Sequence, residues 1–288
     1  MANLMLGYPI HSDNSGASFS GGSWSTSLPL TNLADRRLAK VARSNNALEA
    51  STKFDVDLGA TRYISMVAIP KHNLSLSATV RVYGDDAADF ATPLYDSTAL
   101  DAFGDIYPVA MPTWIAAADR DQQLTAEDWA AGYPVSFVHV LSAPTSARYW
   151  RVVISDTGNA DGYVELGRLV IASAYQPTIN MAKGAGFGWQ TSSTRGETDG
   201  GAAFFVDRPR RRIFNFALPM VDTDEALVHG VELQRVLGTS GQLFFIFDPA
   251  DTVHMHRRAF LCVLESLSPL AMPYSSWVEQ PVSLIEEL

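Results

Sequence analysis

The sequence predicts an all-β protein with two domains, and three observations support this prediction. Several short segments alternate apolar and polar residues with a period of two, as half-buried strands do. Turns rich in glycine, asparagine and aspartate separate these segments. The chain has 288 residues, which exceeds the usual length of a single domain. We therefore expect two β-rich cores in one chain.

The strands of the first domain are predicted from segments that are apolar or that alternate apolar and polar residues. Residues 53–59 alternate apolar and polar side chains and end at a glycine, and residues 78–84 repeat the alternation. Further strands are expected at residues 63–69, 149–155 and 163–172. The composition changes at Gln176-Pro177-Thr178, which has the character of a linker. We therefore place the domains at residues 1–175 and 178–288.

The second domain is predicted to contain strands and one helix. Residues 202–206 and 213–218 predict a β-hairpin. Asp222 and Glu225 can form a capping box at the start of a helix, and Gly238 is a suitable end for that helix. The buried stripe of that helix is expected to contain Ala226, Gly230, Leu233 and Leu237. Later strands are expected at residues 243–247, 258–267 and 276–284.

A long insertion at residues 100–135 interrupts the first domain and is rich in aromatic residues. Long connections in compact domains are often functional. These aromatic side chains predict either a small core that packs the insertion onto the domain, or an exposed platform for a sugar or protein partner. The candidate ligand-binding residues are Tyr107, Trp114, Trp129 and Tyr133.

Composition argues against several classes of function. The net charge of −10 would repel a phosphate backbone, so we expect no sequence-specific nucleic-acid binding. No apolar stretch is long enough to span a bilayer, and no secretory signal is visible, so we expect synthesis in the cytoplasm without membrane insertion. Cys262 is the single cysteine and lies in an apolar segment, where a buried small side chain is expected.

We recognise no set of catalytic or metal-binding residues in the sequence. His254 and His256 could begin a metal site, but a third ligand is not indicated. Asp55 and Asp57 share a strand face like a glycosidase pair, yet an exposed strand face has the same pattern. The remaining histidines are scattered, with no serine or cysteine signature nearby. We therefore expect a non-enzymatic protein without a metal or cofactor.

The first domain resembles the discoidin-like, galactose-binding-like family of β-sandwich modules. The resemblance covers about half of the chain and includes an opening loop, a pair of central strands with the sequence FDVDLG, and two closing strands. These features lie at residues 24–33, 42–44, 54–59, 64–69, 148–152 and 162–169. Members of the family are jelly rolls that commonly bind sugars, lipids or proteins through loops at one end. The ligand-binding loops vary, so the resemblance transfers no ligand residue.

Residues 178–288 resemble the distal tail and minor tail proteins of tailed bacteriophages. The resemblance lies in the order of elements: a hairpin, a single helix, an apolar strand and terminal strands. Such proteins use a small β-sandwich with one flanking helix to form a ring at the end of the tail tube. The resemblance implies a virion protein of the tail, associated with tail-tube and tail-hub proteins and with a host-surface glycan as a candidate ligand.

The leading hypothesis is therefore a structural phage tail-tip protein that forms a homo-oligomeric ring. Four arginines concentrate positive charge at the tip of the predicted hairpin and are candidates for the subunit interface: Arg208, Arg210, Arg211 and Arg212. A solvated arginine turn in a monomer is the alternative for these residues. A stand-alone carbohydrate-binding protein is the alternative for the whole chain, and a glycan-cleaving enzyme is a third hypothesis with no domain left to house catalysis.

Overall fold

A computed structural model describes residues 2–103, 136–198, 200–251, 255–273 and 276–288 of the chain. The fold is mainly β, as the sequence predicts. The chain divides into two compact units. Unit 1 contains residues 1–176 and 243–260, and unit 2 contains residues 177–242 and 261–288. The segment 243–260 thus belongs to unit 1, although the sequence analysis places it in the second domain.

Unit 1 is built from antiparallel strands and a few short helical turns. The helical turns are His11–Asp13, Leu30–Ala34, α1 at Glu49–Thr52 and α3 at Met255–Arg258. Its strands are β1 Met5–Ile10, β2 Ser18–Ser20, β3 Ala42–Arg43, β4 Phe54–Ile69, β5 Thr79–Asp85, β6 Tyr95–Asp96, β7 Leu100–Asp101, β8 Phe137–Ser155, β9 Glu165–Leu166, β10 Val170–Tyr175 and β15 Gln242–Ile246.

Two long strands, β4 and β8, carry the architecture of unit 1. They pair with each other in two long stretches, residues 54–57 with 149–152 and residues 66–69 with 137–140, and in a short stretch between these, residues 62–64 with 145–147. Irregular register and exposed side chains at residues 59–63 separate the long stretches. The first stretch continues into β2 and β5, and the second continues through β10 and β1 to β15. Both strands therefore pass from one layer of a sandwich to the other.

The core of unit 1 lies between these two layers. Phe54 and Val56 from one layer belong to the same buried cluster as Val67 and Ile171 from the other. Trp150 is fully buried in β8. Its ring lies against Gly84 of β5, where a Cβ atom would approach the ring carbons to 2.9 Å. A larger residue at position 84 would therefore displace the largest side chain of the core.

Unit 2 contains a four-stranded antiparallel sheet and one helix. Strands β11 Gly186–Gln190, β14 Arg211–Asp222, β17 Trp277–Glu286 and β16 Ala259–Ser266 lie in that order. Helix α2 consists of α-helical Thr223–Glu225, a π-helical turn at Ala226–Val231 and α-helical Glu232–Leu237. The backbone at Gly230 comes so close to Gln280 of β17 that a Cβ atom would lie 2.4 Å from its Oε1. A larger residue at position 230 would therefore require the Gln280 side chain to move.

The predicted cap, end and buried stripe of α2 are confirmed, but the predicted capping box is not. The Asp222 side chain accepts a hydrogen bond from the Asp224 backbone N–H, and Gly238 follows the helix with a φ of +55°. The four residues of the predicted stripe, Ala226, Gly230, Leu233 and Leu237, are all buried. Glu225 does not complete the capping box, because its carboxylate accepts hydrogen bonds from the backbone and hydroxyl of Thr178.

The predicted pairing of residues 202–206 with 213–218 is wrong. The strand β13, Ala203–Val206, pairs with β12, Thr194–Glu197, while β14 pairs with β11 and β17. Gln190 of β11 lies opposite Arg211 of β14. The connection between β11 and β14, residues 191–210, therefore forms a separate two-stranded hairpin, which we call the arm. Alternation identified the strands, but it does not specify which strand is the partner.

Two further expectations concern the burial of Cys262 and membrane-spanning helices. Cys262 is fully buried among apolar neighbours, as predicted. Within the described ranges, no helix has the length and hydropathy needed to cross a bilayer.

Buried His72 gives a first prediction, on the pH dependence of stability. The residue is 8% exposed, and its Nδ1 accepts a hydrogen bond from the Leu74 backbone N–H at 3.3 Å. Burial lowers the pKa of His72 from 6.5 to about 4. As the pH falls, His72 therefore becomes protonated at about pH 6.5 in the unfolded chain but only at about pH 4 in the folded chain. We expect full stability above pH 6.5 and a loss of about 2–3 kcal/mol from this residue on acidification to pH 4.

The variant His72→Asn isolates this effect. Asparagine keeps a side-chain acceptor for the backbone N–H two residues later, but it does not titrate. Urea unfolding followed by tryptophan fluorescence between pH 4 and 7 should show a shallower loss of stability in the variant than in the parent. Burial also lowers the pKa of His11 to about 4, so some acid sensitivity should remain. Equal slopes in the two proteins would contradict the assignment to His72.

Candidate functional site

The loops at one end of unit 1 form the candidate site. The loop at residues 70–78 follows β4, and the loop at residues 156–164 follows β8. Hydrogen bonds join these loops directly, as between the Ser75 backbone N–H and Asp156 Oδ2 at 2.9 Å. The short strands β3 and β9 pair beside them. Because β4 and β8 are bent, the ends of both strands meet here.

Asn73 is the centre of the polar network at this end. Its Nδ2 donates to Asp161 Oδ2 at 2.8 Å and to the Tyr163 carbonyl at 3.2 Å. Its Oδ1 accepts from the Glu165 backbone N–H at 2.6 Å, and its own carbonyl accepts from Asn159 Nδ2 at 3.0 Å. Each polar group of Asn73 that points to the 156–164 loop therefore has a partner. The amide holds the exposed Asp161 carboxylate in one orientation.

A second set of hydrogen bonds fixes the base of the same loops. The buried Asp156 carboxylate accepts from the Ser75 hydroxyl and, at 2.8 Å, from Asn159 Nδ2. The Oδ1 atom of Asn159 in turn accepts from the Asp161 backbone N–H at 3.0 Å. Three polar side chains from two distant segments, Ser75, Asp156 and Asn159, thus hold each other in place. A network of this kind is organised before any ligand arrives.

A shallow pocket of about 240 Å³ lies over this network. Its polar lining comes from the asparagines, the serine and Asp161, and partly buried Leu76 adds apolar surface, whereas Leu74 is 1% exposed and belongs to the core. The pocket is smaller than the roughly 300–1,000 Å³ typical of drug-sized ligands. It therefore suits a small polar ligand that also has an apolar face. The lining residues are Asn73, Leu74, Ser75, Leu76, Asn159, Ala160 and Asp161.

Arg43 and Tyr163 form a flat surface in the same loop region. The Arg43 guanidinium lies 4.3 Å from the centroid of the Tyr163 ring and pairs with the Glu165 carboxylate. This ion pair raises the pKa of Arg43. Planar groups stacked in this way present both hydrogen-bond donors and an aromatic edge.

The aromatic residues proposed from the sequence as ligand contacts lie outside the described residues. These residues are Tyr107, Trp114, Trp129 and Tyr133. Their contribution to binding stays a prediction.

A second pocket in unit 1, of about 330 Å³, borders the same insertion. It is lined in part by Phe103 and Ser136, the described residues on either side of 104–135. His139 also lines it, and its Nε2 lies 2.5 Å from Tyr95 Oη. Burial lowers the pKa of His139, so the ring is neutral at pH 7. We assign no ligand to this pocket.

The four arginines proposed for the subunit interface do not share one environment. Arg208 and Arg210 are exposed and Arg211 is partly exposed, but Arg212 lies in β14 and is 2% exposed. Its Nε donates to Glu286 Oε1 at 2.9 Å, and its backbone N–H donates to Oε2 at 2.8 Å. Arg212 is therefore not part of an exposed turn, and its charge is matched inside unit 2. The strand begins at Arg211, two residues earlier than the sequence analysis placed it.

The carboxylates and histidines considered for chemistry are held by other interactions. Arg148 binds both carboxylate oxygens of Asp57 at 2.8 Å and lowers its pKa, so Asp57 does not retain a proton for acid catalysis. Arg151 binds Asp55 in the same way. His256 is buried in α3, and His254 is outside the described residues. Over the described parts of the chain, no group of three or more His, Cys, Asp or Glu side chains is arranged to hold a metal ion.

Sequence comparisons find no matching protein family and no matching curated protein. Structure comparison finds the family 32 carbohydrate-binding module of Clostridium perfringens NanJ in complex with galactose, at 13% identity and a TM-score of 0.36, over 59% of this chain and 99% of the other. The lectin domain of lectinolysin complexed with Lewis B antigen matches at 16% identity and 0.36, over 57% and 96%. Module CBM32-1 from a family 31 glycoside hydrolase of C. perfringens matches at 10% and 0.34, over 55% and 95%. Likenesses of this size identify no family for the chain.

The sequence analysis missed the residues that form the pocket. Asn73 and Asp161 are 88 positions apart and carry no local motif. The available signal was the clustering of Asn and Asp in the turn at residues 156–162, which was interpreted only as a chain reversal.

The position of Arg212 gives a second prediction, on the stability of unit 2. Arg212→Ala leaves the buried Glu286 carboxylate without its cation, so we expect a loss of about 3–5 kcal/mol in the free energy of unfolding. The exposed neighbour change Arg210→Ala should cost less than about 0.5 kcal/mol. Urea unfolding of both variants measures the difference. The paired change Arg212→Met with Glu286→Leu should recover most of the loss, and two equally mild single variants would show that the pair is dispensable.

Proposed function

We propose that unit 1 binds a carbohydrate in the pocket over Asn73, and that the protein acts by binding rather than by catalysis. The observation that carries this proposal is the network that holds Asp161 through Asn73 and Asn159 beside the apolar side chain of Leu76. A sugar presents hydroxyl groups on its edge and C–H groups on its faces. A fixed carboxylate next to apolar surface complements both.

The hydrogen-bond chemistry of the pocket favours a neutral, hydroxyl-rich ligand. Asn73 occupies one Asp161 oxygen, and the carboxylate keeps acceptor capacity for a hydroxyl donor. A hydrogen bond to a charged acceptor contributes about 1.5–3 kcal/mol. Because protein side chains already hold the carboxylate in place, little conformational freedom is lost on binding. Negative charge at Asp161 disfavours an anionic ligand such as a phosphate.

A structural protein of a phage tail tip is the second candidate function. The observation that favours it is the amount of apolar surface that unit 2 exposes, which suits a subunit of an assembly. In that role the chain would reside in the virion tail, contact tail-tube and tail-hub proteins, and use the sugar pocket at the host surface. The comparisons with known proteins lend no support to a tail role, so carbohydrate binding stands first.

Substitution of Asp161 tests the carbohydrate site. We expect Asp161→Ala to weaken binding about ten-fold or more, because the ligand loses a charge-assisted acceptor. Asn73→Ala should weaken binding as well, since it releases the carboxylate that it orients. A glycan array first selects the ligand. Titration calorimetry with that glycan, and with galactose and N-acetylglucosamine as simple sugars, then measures the effect.

Asp89→Ala is the matched control. Asp89 is, like Asp161, an exposed loop aspartate of unit 1; its carboxylate accepts a hydrogen bond from the Ala91 backbone N–H, and it does not line the pocket. Its variant should bind the sugar like the parent. If no glycan binds the parent protein, or if Asp161→Ala binds as tightly as Asp89→Ala, the proposed site is wrong.

A further inference from the structure

The arm of unit 2 exposes large apolar side chains. Phe204, Phe205 and Val206 of β13 are 53%, 64% and 50% exposed. The ring of Phe204 lies across Gly196 of the paired strand, so closely that a Cβ at position 196 would overlap it. The arm thus packs one aromatic ring on itself and leaves the rest of its apolar surface in solvent. A lone two-stranded hairpin is at best marginally stable in water, so this one gains from being covered.

The outer face of helix α2 is also apolar. Its four exposed aliphatic side chains, Leu227, Val228, Val231 and Val236, are 41–62% exposed. The opposite face of the helix is also apolar and is buried against the rest of unit 2. A surface helix normally carries polar residues on its outer face. Because the arm and this helix face are both exposed in a single chain, neither covers the other.

The two surfaces carry opposite charge. The root of the arm, residues 207–211, contains Asp207 together with Arg208, Arg210 and Arg211, which gives it a net charge of +2. Helix α2 with its cap, residues 222–237, contains four acidic side chains and one arginine. That arginine, Arg235, binds Glu232 on the same helix, which leaves the face acidic overall. Opposite charge on two apolar surfaces steers association and fixes the register of the contact.

We infer that the arm of one copy of the chain docks on the outer face of α2 in a second copy. The face of β13 that carries Phe205 covers Leu227, Val228 and Val231, since successive side chains of a strand point to opposite faces, and the arginines at the root of the arm approach the acidic helix. Since the two surfaces differ, the contact is head-to-tail, and repeated contacts build a ring or a filament. This inference goes beyond carbohydrate binding and does not depend on it.

Charge reversal in the full chain tests the contact. Arg208→Glu, Arg210→Glu and Arg211→Glu together reverse the arm, and Asp224→Lys with Glu232→Lys reverses the helix face. Sedimentation velocity in low salt should give assemblies for the parent and a shift to monomer for each reversed protein, with the dissociation constant raised about ten-fold or more. A chain that carries both reversals should assemble again.

Mixing the two reversed proteins gives a sharper readout. The reversed arm of one protein matches the reversed helix face of the other, and the native arm of the second matches the native helix face of the first. Neither protein should assemble alone, and the equimolar mixture should assemble again with the two proteins alternating. Arg37→Glu with Arg62→Glu in unit 1 changes the net charge in the same sense and should leave assembly intact.

Removal of the arm supplies a second test that does not rely on charge. Gln190 and Arg211 face each other across β11 and β14, so Asn-Gly in place of residues 191–210 closes a two-residue hairpin. The shortened chain should unfold like the parent but remain monomeric. A parent that is monomeric at every concentration, assembly that survives arm removal, or failure of the doubly reversed chain to assemble would each overturn the inference.

Discussion

Unit 1 depends on the pairing of β4 with β8 across two stretches of sheet. The bend between these stretches allows two strands to supply both layers of a sandwich. It also brings the start and the end of each strand to the same end of the unit. The loops after β4 and β8 therefore emerge side by side. The hydrogen bonds from Asn73 and Ser75 to the 156–164 loop are a consequence of this geometry, and so is the pocket above them.

Much of the β structure could be predicted from short-range patterns. The alternation at Phe54, Val56 and Leu58 identified the first part of β4, and Val80 and Val82 identified β5, because one face of each strand is buried. The pattern could not show that β4 continues past Gly59 to Ile69. Residues 59–63 are exposed at the bend, so their side chains leave no periodic signal.

Long-range relations account for what the sequence did not reveal. Helix α2 was predictable because its cap, its buried stripe and its glycine end lie within 17 residues of one another. The partner of β13, the burial of Arg212 against Glu286 and the link from Asn73 to Asp161 each depend on residues far apart in the sequence or on the choice between strand partners. A run of four arginines looks like one charged feature until the fold places one of them inside.

The discontinuity of unit 1 affects how the chain is made. Strand β15 pairs with β1 at Met5, Leu6 and Gly7, yet it is synthesised more than 230 residues later. During translation, β1 has an unpaired edge until residues 243–260 leave the ribosome, and exposed edges favour pairing with other chains. A fragment cut at Gln176 retains that edge permanently. Synthesis of residues 243–260, rather than of the first 176 residues, is therefore the event that closes unit 1.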